Sequence, residues 1–150
     1  MHSENDAFRL KDMRSTPFPN RLLDAVILLP GGPAKLTCLI VRMTLGWRAD
    51  EPGTRRASVC ATHQGLRKAL GLRSKSALSR AIASLTTAGI LEVLDPMTGK
   101  LLDSQGRMRL RRPLRYRISR IYVEGSGADV DNRRITGDED AQLGERELPN

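Results

Sequence analysis

Thr62, Gly71, Ser74 and Gly89 punctuate the middle of the chain into two short helical stretches separated only by Gly71-Leu72-Arg73. Thr62 is a candidate N-cap for His63 to Leu70, and Ser74 for Lys75 to Ala88, because a hydroxyl oxygen can accept from the free amides of a first turn. Gly71 and Gly89 supply the backbone freedom that ends each stretch. Leu78, Ala81, Ile82 and Leu85 recur at i, i+3, i+4 and i+7, so the second helix has one apolar face. Its other face carries Lys75, Ser76, Ser79, Arg80 and Ala83, all small or basic. This pattern predicts a helix-turn-helix, with the glycine relieving the tight turn and Leu72 filling the space between the helices.

The flanking segments predict the rest of one domain. Asn20 reads as the N-cap of a helix running to Leu29, apolar nearly all round and therefore buried, with Pro30-Gly31-Gly32 ending it. Pro33 at a first helical position opens a second helix through Leu45, with Gly46 as its stop. Trp47 to Ala57 is a basic loop, and Asp50-Glu51-Pro52-Gly53 is a turn signal within it. Ser58-Val59-Cys60 and Ile90 to Leu94 read as strands. Leu114, Tyr116 and Ile118 alternate with Arg115, Arg117 and Ser119, a half-buried strand with its bases outward. Nineteen residues, Asp95 to Pro113, lie between the last two strands, too long for a structureless loop in a small domain. An extended hairpin tip accounts for them. The order of elements predicts a mainly α, α+β fold: a winged helix-turn-helix with a C-terminal β-hairpin wing, spanning residues 17–123.

Charge divides the chain. There are 25 Lys and Arg against 17 Asp and Glu, a formal net of +8. From Glu124 onward eight acids face three bases, a net of −5, whereas the first 123 residues hold 22 bases and nine acids, a net of +13. Residues 124–150 have glycines and no apolar periodicity, so they read as a disordered acidic tail, and residues 1–16 read as a flexible arm. No acid occurs between Glu51 and Glu92, a gap containing seven bases. A second basic run, Lys100 to Arg120, has eight bases and one acid. Solvated faces ordinarily mix signs, so this distribution implies a polyanionic partner. Aromatics are only 3% of residues, which argues against RNA-stacking and single-strand-binding surfaces.

Other chemistry is weakly supported. The longest apolar run, Ala25 to Leu29, cannot span a bilayer, and the polar, acidic start shows no signal peptide. Two cysteines make no disulfide framework, so the expected compartment is the cytoplasm. Cys60-x-x-His63 has the spacing of half a zinc site, but Cys38 reads as a small core residue and His2 lies in the arm. Nothing nearby in sequence orients His63 for nucleophilic work by Cys60. Gly31-Gly32 lacks the Lys-Ser/Thr of a phosphate loop. Neither enzyme, metal nor cofactor is expected.

The expected function is binding of double-stranded DNA. The second helix of the pair would enter the major groove, with its N-terminal amides toward a phosphate and its first two turns toward base edges. Candidate recognition residues are Arg73, Ser74, Lys75, Ser76, Ser79 and Arg80. Lys100, Arg107, Arg109, Arg111, Arg112 and Arg115 on the hairpin would reach the flanking backbone or minor groove. A transcriptional regulator on the same fold is the alternative, and a protein-binding replication adaptor a further one.

Thr16-Pro17-Phe18-Pro19-Asn20-Arg21-Leu22-Leu23-Asp24 resembles the opening of the N-terminal domain of the bacteriophage replication protein O family. Arg42-Met43-Thr44-Leu45-Gly46-Trp47 is similar to that family's arginine-x-threonine-x-glycine-aromatic signature. Leu66 to Leu85 resembles its helix-turn-helix, and Leu85-Thr86-Thr87-Ala88-Gly89-Ile90 its entry to the wing. The likeness covers about residues 16 to 94. It implies a winged-helix domain of a phage or mobile element that binds repeated sites at a replication origin, commonly as a dimer. It points to Ser74, Lys75, Ser76, Ser79 and Arg80 as recognition residues, and gives Arg42 and Thr44 structural roles. Two departures stand out: the turn before the recognition helix is one residue longer here, and the region that recruits a helicase or its loader is replaced by the acidic tail. Through that tail a replication-machinery protein is the expected protein partner.

Overall fold

Ser74 and Thr62 act as the caps their positions suggest. In the computed structural model, which describes residues 15–110 and 112–123, the Ser74 hydroxyl accepts from the Ala77 N–H at 3.1 Å and starts helix α4 (Lys75–Thr87). Thr62 accepts from the Gly65 N–H at 2.9 Å and starts α3 (His63–Leu70). Gly71 ends α3 at φ +70, in the left-handed region where a Cβ is disfavoured, and the Leu72 N–H returns to the Arg67 carbonyl at 3.0 Å. Arg67 closes the turn from its other side, donating from Nη2 to the Arg73 carbonyl at 3.0 Å.

Two helices precede this pair. The first, α1 (Asn20–Ile27), has Pro19 and not Asn20 in the N-cap position, without a side-chain cap. It buries Leu22 and Val26 but leaves Leu23, Ile27 and Leu28 exposed, so the helix expected to be buried all round is covered on one side only. The second, α2 (Gly31–Thr44), starts before Pro33, which sits within the first turn, where its missing N–H leaves no bond unmade. Its buried Thr37 and Thr44 donate to the carbonyls one turn back, Pro33 at 2.9 Å and Ile40 at 2.7 Å. Cys38, expected in the core, is exposed, as is Cys60.

Three short strands form one antiparallel sheet. β1 (Val59–Ala61) and β2 (Leu91–Leu94) flank β3 (Leu114–Ile118), with Val59 opposite Tyr116 and Leu91 opposite Ile118. Leu114, Tyr116 and Ile118 are buried while Arg115 and Arg117 alternate onto the other face. The central helix α2 packs on α1, α3, α4 and β3, and α4 packs on β2. Leu22, Leu36, Ile40, Leu66, Leu78, Leu85, Leu91 and Tyr116 form the fully buried centre. Each such side chain contributes roughly 1.5–3 kcal/mol of apolar burial.

The connection from β2 to β3 is not an extended tip. Asp95 to Lys100 makes a turn closed by the Asp95 N–H on the Lys100 carbonyl at 2.9 Å. Leu101 then bridges Leu94, and because Leu94 also pairs with Arg115, the bridge lies on the edge of β2 away from β3. The chain must cross the sheet to reach β3, and helix α5 (Ser104–Arg109) makes the crossing. Asp103 starts α5 by accepting from the Gly106 N–H at 2.7 Å, so Asp103-Ser104-Gln105-Gly106 is a helix start and not a loop tip.

Among the described residues the fold is therefore α+β, with six helices and one three-stranded antiparallel sheet. Two compact units are distinguished, one ending at Ile118 and one beginning at Ser119, whose described part holds the short helix α6 (Arg120–Val123). No described helix is long and apolar enough to cross a membrane. The expected flexible arm lies outside the described residues except at Ser15 and Thr16, and the expected acidic tail lies entirely outside them.

Candidate functional site

The outward face of α4 lines a cleft of about 630 Å³, to which α5 also contributes. Lys75, Ser76, Ser79, Arg80 and Ala83 line it from α4; Ser104, Arg107 and Met108 line it from α5. Tyr116 and Leu114 of β3 contribute to it as well. A neighbouring hollow of about 710 Å³ shares Lys75, Ser79 and Met108 with it and extends to Gln64 and Arg67 of α3. No carboxylate lines either space, so the charges of Lys75, Arg80 and Arg107 add there with no lining acid to offset them.

Of the expected recognition residues, Lys75, Ser76, Ser79 and Arg80 are exposed and share this face. Ser74 is exposed but engaged: its hydroxyl accepts from Ala77 and lies 3.3 Å from that of Ser76. Arg73 is exposed in the turn, its carbonyl held by Arg67, and does not line the cleft.

The wing candidates separate more widely. Arg107 lies in the cleft wall and donates to the Leu102 carbonyl at 3.5 Å. Arg109 and Lys100 are exposed, with no side-chain partner among the described residues. Arg112 lines the cleft but is ion-paired, its Nη2 3.0 Å from Asp95 Oδ1. Arg115 departs from the expected group: it lies on the opposite sheet face and donates to the Ser58 hydroxyl at 2.8 Å. Arg117 on that same face donates to Glu92 at 2.5 Å. Arg111 lies outside the described residues.

Comparison with family models, curated proteins and solved structures finds no match. The site therefore rests on its own chemistry.

Two residues of these spaces, one in the cleft and one in the neighbouring hollow, lie outside the expected site. His63 sits at the start of α3 with Nε2 3.3 Å from Ser79 Oγ. Burial, with Arg67 and Lys75 adding to it, lowers its pKa below the ordinary value. Arg67 of α3 lines the neighbouring hollow, and its Nε is buried without a hydrogen-bond partner. The contacts joining α3 to α4 come from folding, so residue spacing alone carries no signal for them. Beneath the cleft, burial pushes the Tyr116 phenol up to about 12, with Arg107 opposing the shift. The Tyr116 ring is therefore a neutral floor at physiological pH. At the end of the sheet the Met97 N–H, reinforced by Arg112, holds the Asp95 carboxyl below its ordinary range.

Groups suited to a metal do not gather here. No cluster of three or more His, Cys, Asp or Glu side chains occurs among the described residues. To an anion the arrangement offers Lys75 and Arg80 from α4 and Arg107 from α5, set beside apolar side chains such as Met108, Leu110 and Leu114, with short serines that let a ligand approach α4 closely.

Proposed function

We propose that this chain binds double-stranded DNA as a winged helix-turn-helix domain, with α4 as the recognition helix and the β2–β3 connection as the wing. The observation that carries the reading is the outward face of α4. From Lys75 to Ala83 it is exposed, basic and free of acids, and Arg107 of α5 lines the same cleft. A rigid helix held by Ser74, Gly71 and Arg67 presents Lys75 and Arg80 to phosphates or guanine edges, while Ser76 and Ser79 permit close approach. The sheet order β1-β3-β2, with the helix pair between β1 and β2 in sequence, supports the winged-helix part of the proposal.

Arg107 and Arg109 of α5, with Lys100, are the wing groups best suited to the flanking backbone. Arg112 reaches it only at the cost of its pair with Asp95. Origin binding of the phage replication type and dimer formation belong to this proposal through the motif resemblance, and recruitment of a replication protein through the charge of the acidic tail. The test is selection of bound duplexes from random-sequence DNA, followed by genomic footprinting. A recovered motif in iterated arrays is the expected result; single promoter operators favour a regulator, and failure to enrich any motif overturns sequence-specific binding.

A further inference from the structure

The end of α2 and the loop after it build a second basic cleft. Its volume is about 610 Å³, and it shares no lining residue with the α4–α5 cleft. Thr16, Arg42, Gly46, Trp47, Arg48 and Arg55 line it. The loop is a small hairpin: Arg48 bridges Arg55, the Ala49 N–H donates to the Thr54 carbonyl at 3.1 Å, and the Arg56 N–H to the Trp47 carbonyl at 3.0 Å. Trp47 is 52% exposed, and the Arg42 and Arg56 guanidiniums lie 5.7 and 5.8 Å from its ring centroid.

Three features set this cleft apart from an ordinary solvated surface. Arg48 and Arg55 stand directly opposite one another across an antiparallel bridge, where like charges repel. Among the described residues, none of Arg42, Arg48, Arg55 and Arg56 is ion-paired, and the hairpin's own acids, Asp50 and Glu51, pair with none of them. Gly46 completes the cradle: a Cβ there would collide with the Arg42 carbonyl and lie 2.9 Å from both Arg42 Nη1 and Thr16 Oγ1. The flat indole holds guanidiniums in place without neutralising them, which leaves their charge for an incoming anion.

We propose that this cleft is a second binding site, taking the phosphodiester backbone of nucleic acid. Arg48 and Arg55 meet the phosphates, and the Trp47 ring positions Arg42 beside them, while Arg56 lies over the same ring outside the lining. Anion binding follows from the cleft itself, whereas DNA as the source of the phosphates rests on the α4 reading.

Trp47 is the only tryptophan in the chain, so its fluorescence reads the site directly. Titration of the full chain with a short duplex should give a saturable change in emission. Replacing both Arg48 and Arg55 by Ala should abolish that change. It should also weaken duplex binding about tenfold and make the log–log salt dependence shallower by about 2. Arg48→Lys with Arg55→Lys keeps the charge and should retain most of the affinity. Duplex binding with no emission change, and with affinity unaltered in the double Ala variant, overturns this site and leaves the α4 reading intact. An unchanged affinity in Lys75→Ala/Arg80→Ala, with the emission change kept, supports this site and overturns the α4 reading. Saturation by pyrophosphate but not by duplex overturns the backbone assignment, and no duplex binding at all overturns both.

Discussion

His63 Nε2 lies 3.3 Å from the Ser79 hydroxyl, a contact between residues sixteen apart that ties the start of α3 to the exposed face of α4. Arg67 and Lys75 add their charge to burial in disfavouring a proton on this imidazole, so the folded protein keeps His63 neutral to a lower pH than the unfolded chain does. A depressed folded pKa contributes stability that is present above the ordinary value of 6.5 and lost as pH falls through the folded value. The melting temperature should therefore drop between pH 7 and pH 5, and His63→Gln should reduce that drop. A phosphate bound beside Lys75 reverses the bias, so duplex binding in this range should take up a proton that the variant does not. Calorimetry in buffers of different ionisation enthalpy measures it.

Asp95 offers a contrasting case. Its carboxylate is held down by the Met97 N–H first and by Arg112 next. Its contribution to stability is present above the ordinary value of 3.8 and lost as pH falls through the lower folded value. Asp95→Asn should lower the melting temperature at pH 7 more than at pH 3. The same variant releases Arg112 at the cleft edge, so duplex affinity at pH 7 should rise, as anisotropy titration would record. A fall in affinity would show that the ion pair positions the wing.

Lys75 occupies the first turn of α4, where the helix dipole disfavours a cation and no acid offsets it. Lys75→Ala should therefore leave stability unchanged or raise it by roughly 0.3–1 kcal/mol while weakening duplex binding. Denaturant unfolding paired with a binding titration separates the two effects. A loss in both would mark Lys75 as a folding residue.

Arg115 is bonded to Ser58 on the sheet face away from the cleft, whereas Arg109 is exposed at the end of α5. Arg109→Ala should weaken duplex binding by roughly the factor of a single phosphate contact and reduce the salt slope by about 1. Arg115→Ala should leave both unchanged while lowering stability through the lost bond to Ser58. Electrophoretic mobility shift at two salt concentrations is sufficient to compare them.

The α3–α4 boundaries were legible because their determinants are local: Thr62, Gly71 and Ser74 act within three or four residues of themselves. The alternation around Tyr116 was legible for the same reason. Helix α5 was not, since six residues show no apolar period, and Asp103 followed by Gly106 suits a turn as well as a cap. Leu23, Ile27 and Cys38 are apolar residues that the chain leaves exposed, because a domain this small has too few elements to cover every face of α1 and α2. Of the candidate site, the α4 face could be read from helical spacing. The partners of Arg115, Arg112 and His63 lie 57, 17 and 16 residues away, distances over which spacing carries no information.

The central claim is that the face of α4 meets duplex DNA. The most direct measurement is duplex affinity as a function of salt for the wild type, Lys75→Ala/Arg80→Ala, and Arg133→Ala in the acidic segment. The wild type should bind below about 100 mM salt with a slope reporting several phosphate contacts. The α4 variant should lose at least tenfold in affinity and about 2 in slope, while Arg133→Ala should match the wild type. Equal affinities for all three proteins, or equal losses in both variants, would contradict it.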